Sequence, residues 1–422
     1  MIEWKRIKLS EVCNLIAGYA FKSCDFGDYP KKVVKITNIE PPYVNMQALV
    51  GFNEKNYDIK KLEKYRVSSS DYILAMTGAT IGKIGRIRLG NAYINQRVLK
   101  FCPKKIDNDF LFYILSMNDF SKYIINNIDS ESAQANISAS TIGKYTFSLP
   151  PLDVQKRIAG ILGTLDDQID VLRRENVALE QMAQAVFQSW FVDFDIVRAK
   201  AAGTPESEVC EKYHITPELY ALFPSALTPD DLPLGWEKLP FSETMKIVSG
   251  GTPKTTEAAF WNGNIPWYSV VDAPASVYVL DTEKHITQQG LENSPCSLLK
   301  KDTVIISARG TVGKLAMVGK EMAMNQSCYG LEFDFPYYGY LTTKQMLVYL
   351  RQNVHGAVFD TITKDTFKTV ETVGIPRALQ ENFTKLVSSF FEKIYKNTQQ
   401  IRVLSATRDT LLPKLMNGEI EV

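Results

Sequence analysis

DYILAMTGATIGK, residues 71–83, returns 231 residues later as DTVIISARGTVGK, residues 302–314. Asp71/Asp302, Thr80/Thr311, Gly82/Gly313 and Lys83/Lys314 are identical in the two copies. Taken alone, the second copy invites reading as a nucleotide-binding loop. That pattern needs four residues between its first glycine and a Gly-Lys-Ser/Thr. Only Thr311 and Val312 separate Gly310 from Gly313, and Leu315 stands where a metal-binding hydroxyl belongs. The spacing rules out a phosphate loop, so the repetition itself is the informative feature.

The repeat extends in both directions. WKRIKLSEVCNLIAG (4–18) aligns without gaps to WEKLPFSETMKIVSG (236–250), pairing Trp4/Trp236, Ser10/Ser242, Glu11/Glu243 and Gly18/Gly250. Asn-Gln follows each loop, at 95–96 and 325–326, and LPPLDVQKRI (149–158) answers GIPRALQENF (374–383) through Pro151/Pro376 and Gln155/Gln380. The offset drifts only from 232 to 225, which marks a tandem duplication rather than a solenoid array. The expected organisation is a globular domain over 1–148, a helix over 149–191, a connector over 192–232, a second globular domain over 233–374 and a second helix over 375–422.

Each globular copy is written as short β-rich segments, such as KVVKITNI, YILAMTG and TVIISARG, punctuated by Gly, Pro and Asn. One helix per copy is expected, over DNDFLFYILSMNDFSKYII (107–125) and YLTTKQMLVYLRQNV (340–354). A long helix then starts behind Pro151 or Pro376, where proline suits the first turn. From Ile158 to Trp190, and from Phe383 to Leu415, mostly apolar residues alternate by four and three. A sustained 3.5-residue period is a coiled-coil seam. The fold class is therefore α+β: two β-rich recognition domains, each followed by a long helix, the helices pairing antiparallel with pseudo-twofold symmetry. Among the seam registers, the one in which paired residue numbers sum to 573 sets Asn176 opposite Asn397. Two facing amides satisfy each other and penalise every slipped alignment.

Composition is that of a globular chain, 45% hydrophobic and 23% charged. No apolar run approaches the ~18–20 residues of a membrane span, and the N-terminal stretch has no signal-peptide character. The six cysteines form no C-x-x-C pair and only three histidines are present, which speaks against a structural zinc. A cytoplasmic location without membrane attachment is expected. The net charge of +1 is distributed unevenly: residues 1–148 hold 21 Lys/Arg against 14 Asp/Glu, residues 149–232 hold 7 against 14, and residues 233–374 hold 13 against 14. The first block suits a phosphate backbone better than the third.

A duplicated binding domain on a two-helix spacer can read two DNA half-sites at a fixed separation. Because the copies have diverged, the double-stranded target would be bipartite and asymmetric. Candidate contacts are the loop residues Gly78, Thr80, Gly82 and Lys83, with Arg97, in the first copy. In the second they are Arg309, Gly310, Thr311, Gly313 and Lys314, with Asn325 and Gln326. Lysines suit phosphates, Arg suits guanine and Asn or Gln suits adenine, although the glycines could equally just close a turn. GGTPKT (250–255) with Lys254, beside Trp261, Trp267 and Tyr268, is a further contact surface, or alternatively core. EPPY (40–43) evokes the adenine-methyltransferase motif D/N-P-P-Y/F, but Glu40 is a methylene too long and no glycine-rich cofactor loop accompanies it. Trp190, Phe191 and Phe194 with Asp193 and Asp195 end the first helix as either core or a partner-docking surface.

SWFVDFDIVRAKA (189–201) resembles the segment that follows the central helix in specificity subunits of type I restriction–modification systems. LPLGWE (232–237), SGGTPKT (249–255), IPWYSVVDA (265–273) and LLPKLMNGEI (411–420) are similar to recurring phrases of that family, in the family's order. The resemblance implies a non-catalytic subunit that binds DNA, recruits two methyltransferase subunits and joins restriction/translocase subunits in the full complex. It implies no cofactor on this chain; S-adenosylmethionine, ATP and magnesium would belong to the partners.

Overall fold

The structure is a computed structural model that describes residues 4–129, 135–352 and 361–422. Two long helices stand out, α1 (Leu152–Phe191) and α2 (Arg377–Met416), each of 40 residues. Both begin at the residue after the repeated proline, and both ends keep the 225-residue offset. The chain divides into two units: the first takes Met1–Asp167 with Leu404–Val422, the second Gln168–Val403. Each unit thus draws on both long helices.

In the first unit, a six-stranded sheet runs in the order Cys13–Ala17, Val98–Pro103, Tyr72–Ala75, Ile84–Arg86, Tyr43–Val44, Ile39–Glu40. In the second, five strands follow the same order: Lys246–Ser249, Cys328–Glu332, Val304–Ser307, Leu315–Val318, Tyr278–Val279. The central strands Tyr72–Ala75 and Val304–Ser307 are buried at every residue, which is why they read as mostly apolar runs rather than alternating ones. A smaller sheet also recurs, through the parallel pairs Val34/Ile94 and Tyr268/Met324. So does a two-stranded closure, Lys5–Lys8 with Thr146–Leu149 and Lys238–Pro240 with Glu371–Val373.

The helix expected over 107–125 is two helices, Asn108–Ser116 and Asn118–Asn126. Met117 between them is extended (φ −71°, ψ 148°). Asn118 and Asp119 sit at the new start, where short polar side chains compete with helical hydrogen bonds. In the second unit one helix, Pro336–Gln352, starts earlier than expected, and positions 353 and 354 of the expected span lie outside the described residues. The 192–232 connector forms three short helices, Asp195–Ala201, Glu206–Tyr213 and Pro217–Ala221.

Within the second unit, α1 and α2 pair antiparallel in the register of sum 573. Asn397 Nδ2 donates to Asn176 Oδ1 at 2.9 Å, and both residues are 1% exposed. Trp190 and Phe383, another pair of that sum, have ring centroids 5.8 Å apart. Within the first unit, Ile158 and Leu162 share a core with Leu415 and Met416, and Arg408 pairs with Asp166 at 2.7 Å. One seam position departs from the 3.5 period: Phe390 is half-buried, and Phe391 is fully buried, stacked on Tyr337 at 4.5 Å. The apolar stripe widens there because Tyr337 and Tyr340 of a neighbouring helix in the same unit pack on Phe391.

Replacing Asn397 alone by leucine is expected to cost about 1–3 kcal/mol, because the Asn176 amide loses its buried partner. The double leucine variant should recover most of that loss. Thermal denaturation of the two variants checks this; a single variant as stable as the parent would remove the pair's role in alignment.

Candidate nucleic-acid interface

Each unit assembles the same four segments around the end of one strand. The strand Cys13–Ala17 runs into Gly18, whose missing Cβ would lie 2.1 Å from the Asn95 carbonyl oxygen. Gly250 meets Asn325 in the same way, at 1.9 Å. Only glycine lets the Asn-Gln turn come so close to the strand end. The turn closes through Val98 N donating to Asn95 O (2.8 Å) and Cys328 N donating to Asn325 O (3.2 Å). The glycine loop is the third segment, tied on by Met76 N to Arg97 O (2.9 Å) and Ala308 N to Ser327 O (2.7 Å). The fourth is a capped helix start: Ile137 N donates to Met76 O at 3.0 Å and Ile362 N to Ala308 O at 2.9 Å. Ser138 and Thr363 then cap the helices Ala139–Gly143 and Lys364–Thr369.

This arrangement places the expected residues unequally. Gln96 and Arg97 are exposed and, with Ala17, Met76 and Thr77 and residues 136–139, wall an open cleft of about 530 Å³. Lys83 is exposed but does not line that cleft; its carbonyl accepts from Ala75 N at the base of the hairpin, and the Lys314 carbonyl accepts likewise from Ser307 N. Gly78 and Thr80 form a single 3-10 turn at the loop tip and are half-buried. Arg309, Gly310, Thr311, Lys314, Gln326 and Lys254 are exposed. Thr252 donates its hydroxyl to Gln326, joining the GGTPKT stretch to the Asn-Gln turn.

Several of the expected residues are engaged within their own unit. Gly82 is half-buried and Gly313 buried, each packed inside its own unit. Gly313 lies under Arg351, which donates to its carbonyl at 3.2 Å, and Gly82 faces the Ile124 side chain. Both have φ +81° and serve close packing of the loop on a helix of their own unit. Asn325 is half-buried and its Oδ1 accepts from Ser327 N (3.0 Å), which shapes the turn. Trp267 and Tyr268 are core: Trp267 Nε1 donates to Gly251 O (3.0 Å), and Tyr268 has no exposure. The rings of Trp190, Phe191 and Phe194, at 2%, 5% and 7% exposure, are core as well. They pack with Phe383, Phe223 and Trp236 of the second unit, leaving Asp193 exposed and Asp195 accepting from the Ser189 hydroxyl at 2.7 Å.

The capped helix start is not among the expected contacts, although its signal is present in the sequence. ISAST (137–141) and ITKDT (362–366) share Ile137/Ile362 and Thr141/Thr366 at the same 225-residue offset as Pro151 and Pro376. Other chemistry is subdued. EPPY is the turn between Ile39–Glu40 and Tyr43–Val44, with Arg88 3.6 Å above the Tyr43 ring. Burial pushes the Cys13 and Cys328 thiols up to about 12, so both stay protonated as small core residues. Among the described residues no group of three His, Cys, Asp or Glu could hold a metal ion.

A family model for the type I restriction modification DNA specificity domain matches residues 1–181 and 233–404. The chain is 28% identical to the type I restriction enzyme HindI specificity subunit of Haemophilus influenzae, over the full length of both. It is 25% identical to the MjaIX specificity subunit of Methanocaldococcus jannaschii, covering all of this chain and 94% of that one. Among solved structures, the type I restriction–modification S subunit of M. genitalium matches in fold at TM-score 0.54 and 15% identity, over 98% of this chain and 96% of that one.

Proposed function

The chain belongs to the type I restriction–modification DNA specificity family, and from that premise we propose that each unit reads one half of an asymmetric, bipartite double-stranded DNA target. The observation that carries this reading is the four-part constellation built twice around Gly18 and Gly250, with different side chains at its exposed tips. Matching backbones place the two surfaces alike, and divergent residues such as Arg97 and Ser327 let them differ in sequence preference. The chain is the recognition component, and it assembles with other subunits. Two methyltransferase subunits would supply S-adenosylmethionine chemistry, and restriction/translocase subunits would supply ATP- and magnesium-dependent cleavage. Such a complex works in the cytoplasm, and no helix among the described residues is long and apolar enough to cross a membrane.

Methylome sequencing of a host expressing this chain with its methyltransferase partner tests the proposal. One methylated motif is expected, with two unlike halves separated by a fixed non-specific spacer. A complex that assembles yet methylates without sequence preference would overturn it in favour of a protein adaptor. A chimera in which residues 1–148 come from a relative is expected to change one half of the motif and leave the other intact. Alteration of both halves would remove the modular reading.

A further inference from the structure

We infer that Lys60, Lys61 and Lys64, set beside Tyr19 and Tyr65, form a phosphate-binding ridge through which the first unit, and not the second, grips the DNA backbone next to its half-site. The inference rests on the DNA-reading function proposed above and adds the residues and the asymmetry.

The geometry starts at Gly18. The residue before it, Ala17, walls the cleft that holds Gln96 and Arg97; the residue after it, Tyr19, walls a second cleft of about 390 Å³. The other walls of that second cleft are Lys60, Lys61, Lys64 and Tyr65. Tyr19 N donates to Ile94 O at 2.9 Å, so the lysine cleft is anchored to the strand that leads into the Asn-Gln turn. All three lysines are exposed. Lys64 Nζ sits 4.8 Å over the Tyr65 ring, and Tyr65 packs edge-on to Tyr19 at 5.5 Å, which holds the ridge on a rigid aromatic base. The local acids do not neutralise it. Glu63 pairs with Arg66 at 3.0 Å, while Asp58 caps the helix through Lys60 N (3.1 Å) and meets Lys61 only at 3.7 Å in an exposed pair. Ammonium groups on a rigid, solvent-facing ridge suit phosphate oxygens as point charges.

The second unit carries the same helix without the charge. Asp58-IKKLEKY aligns with Thr287-QQGLENS, sharing Leu62/Leu291 and Glu63/Glu292, and Thr287 caps its helix through Gly290 N at 3.0 Å. Gln289, Gly290 and Asn293 stand where the lysines stand. Gly251 replaces Tyr19, and the backbone of Pro295 and Cys296 fills the space a side chain would need, 2.5–2.6 Å from the absent Cβ. The cleft is thus open and basic in one unit, and occupied and neutral in the other. This locates part of the excess of positive charge in residues 1–148 over residues 233–374.

The test measures binding of the chain, in complex with its methyltransferase partner, to DNA carrying the motif found by methylome sequencing, across a salt series. A Lys60→Gln/Lys61→Gln/Lys64→Asn variant is expected to lower the slope of log affinity against log salt by about 2–3, roughly 0.9 for each phosphate no longer neutralised. Affinity at ~100 mM salt should fall about tenfold or more, with the methylated sequence unchanged. A Lys60→Arg/Lys61→Arg/Lys64→Arg variant should keep the parental slope. A neutral variant that binds with the parental slope and affinity overturns the ridge while leaving the function standing. A parental complex without sequence preference removes both.

Discussion

Gly250→Ala is expected to erase discrimination at the second half-site while the first half-site is still read. The Cβ it introduces would stand 1.9 Å from the Asn325 carbonyl oxygen, 2.6 Å from its carbon and 3.0 Å from the Met324 carbonyl oxygen. All three atoms are backbone, so no side chain can rotate away. Either the strand end or the Asn-Gln turn must move by more than an ångström, and overpacking of this kind costs about 1–3 kcal/mol in stability. The functional loss comes on top, because Gln326 and the attached Thr252 move with the turn. Each base pair no longer read correctly costs about 1–3 kcal/mol of binding, so discrimination should fall about ten- to a hundredfold. Competition binding against DNA altered only in the second half measures it. Parental discrimination in the variant would mean that the turn does not read DNA. Gly18→Ala should produce the mirror result at the first half-site, since its Cβ meets the Asn95 carbonyl at 2.1 Å.

Trp190→Ala is expected to destabilise the second unit by about 3–5 kcal/mol, the usual cost of truncating a buried large aromatic. Its ring packs edge-on to Phe223 at 5.4 Å and to Phe191 and Phe383 at 5.8 Å, at 2% exposure. Truncation deprives all three rings of a packing partner and leaves a void that the two long helices and the connector would have to close together. Denaturation of the free chain reads this directly. Were Trp190 a docking residue, the free chain would keep its stability and only assembly with partners would weaken. Those two outcomes separate the core role from the docking role.

The helix register was legible because it rests on a periodic signal and a single chemical asymmetry, Asn176 and Asn397 in an apolar seam. The duplicated sheet was legible because the offset between copies barely drifts, so one strand assignment supports the other. What stayed illegible has a different character: which face of a residue meets what. Gly313 has the sequence context of a phosphate-approaching loop, but Arg351, 38 residues further along the chain, covers it. Trp190, Phe191 and Phe194 lie among acidic residues that suggested exposure, yet the connector helices fold back over them. No local pattern encodes such long-range covering. The lysine ridge is a mixed case: its charges are plain in the sequence, but its place next to Gly18 emerges only when Tyr19 is paired with Asn95.

The first unit is assembled from Met1–Asp167 and Leu404–Val422, with residues 168–403 between them forming the second. During synthesis this order matters. At ~5–20 residues per second, roughly 10–50 s pass between emergence of Ile158 and Leu162 and arrival of Leu415 and Met416, which complete their core. The unit that is translated first is therefore finished last. For that interval the nascent chain exposes an apolar seam that its own continuation must cover. A ribosome stalled or a message truncated before residue 404 would strand the first half-site reader rather than the second.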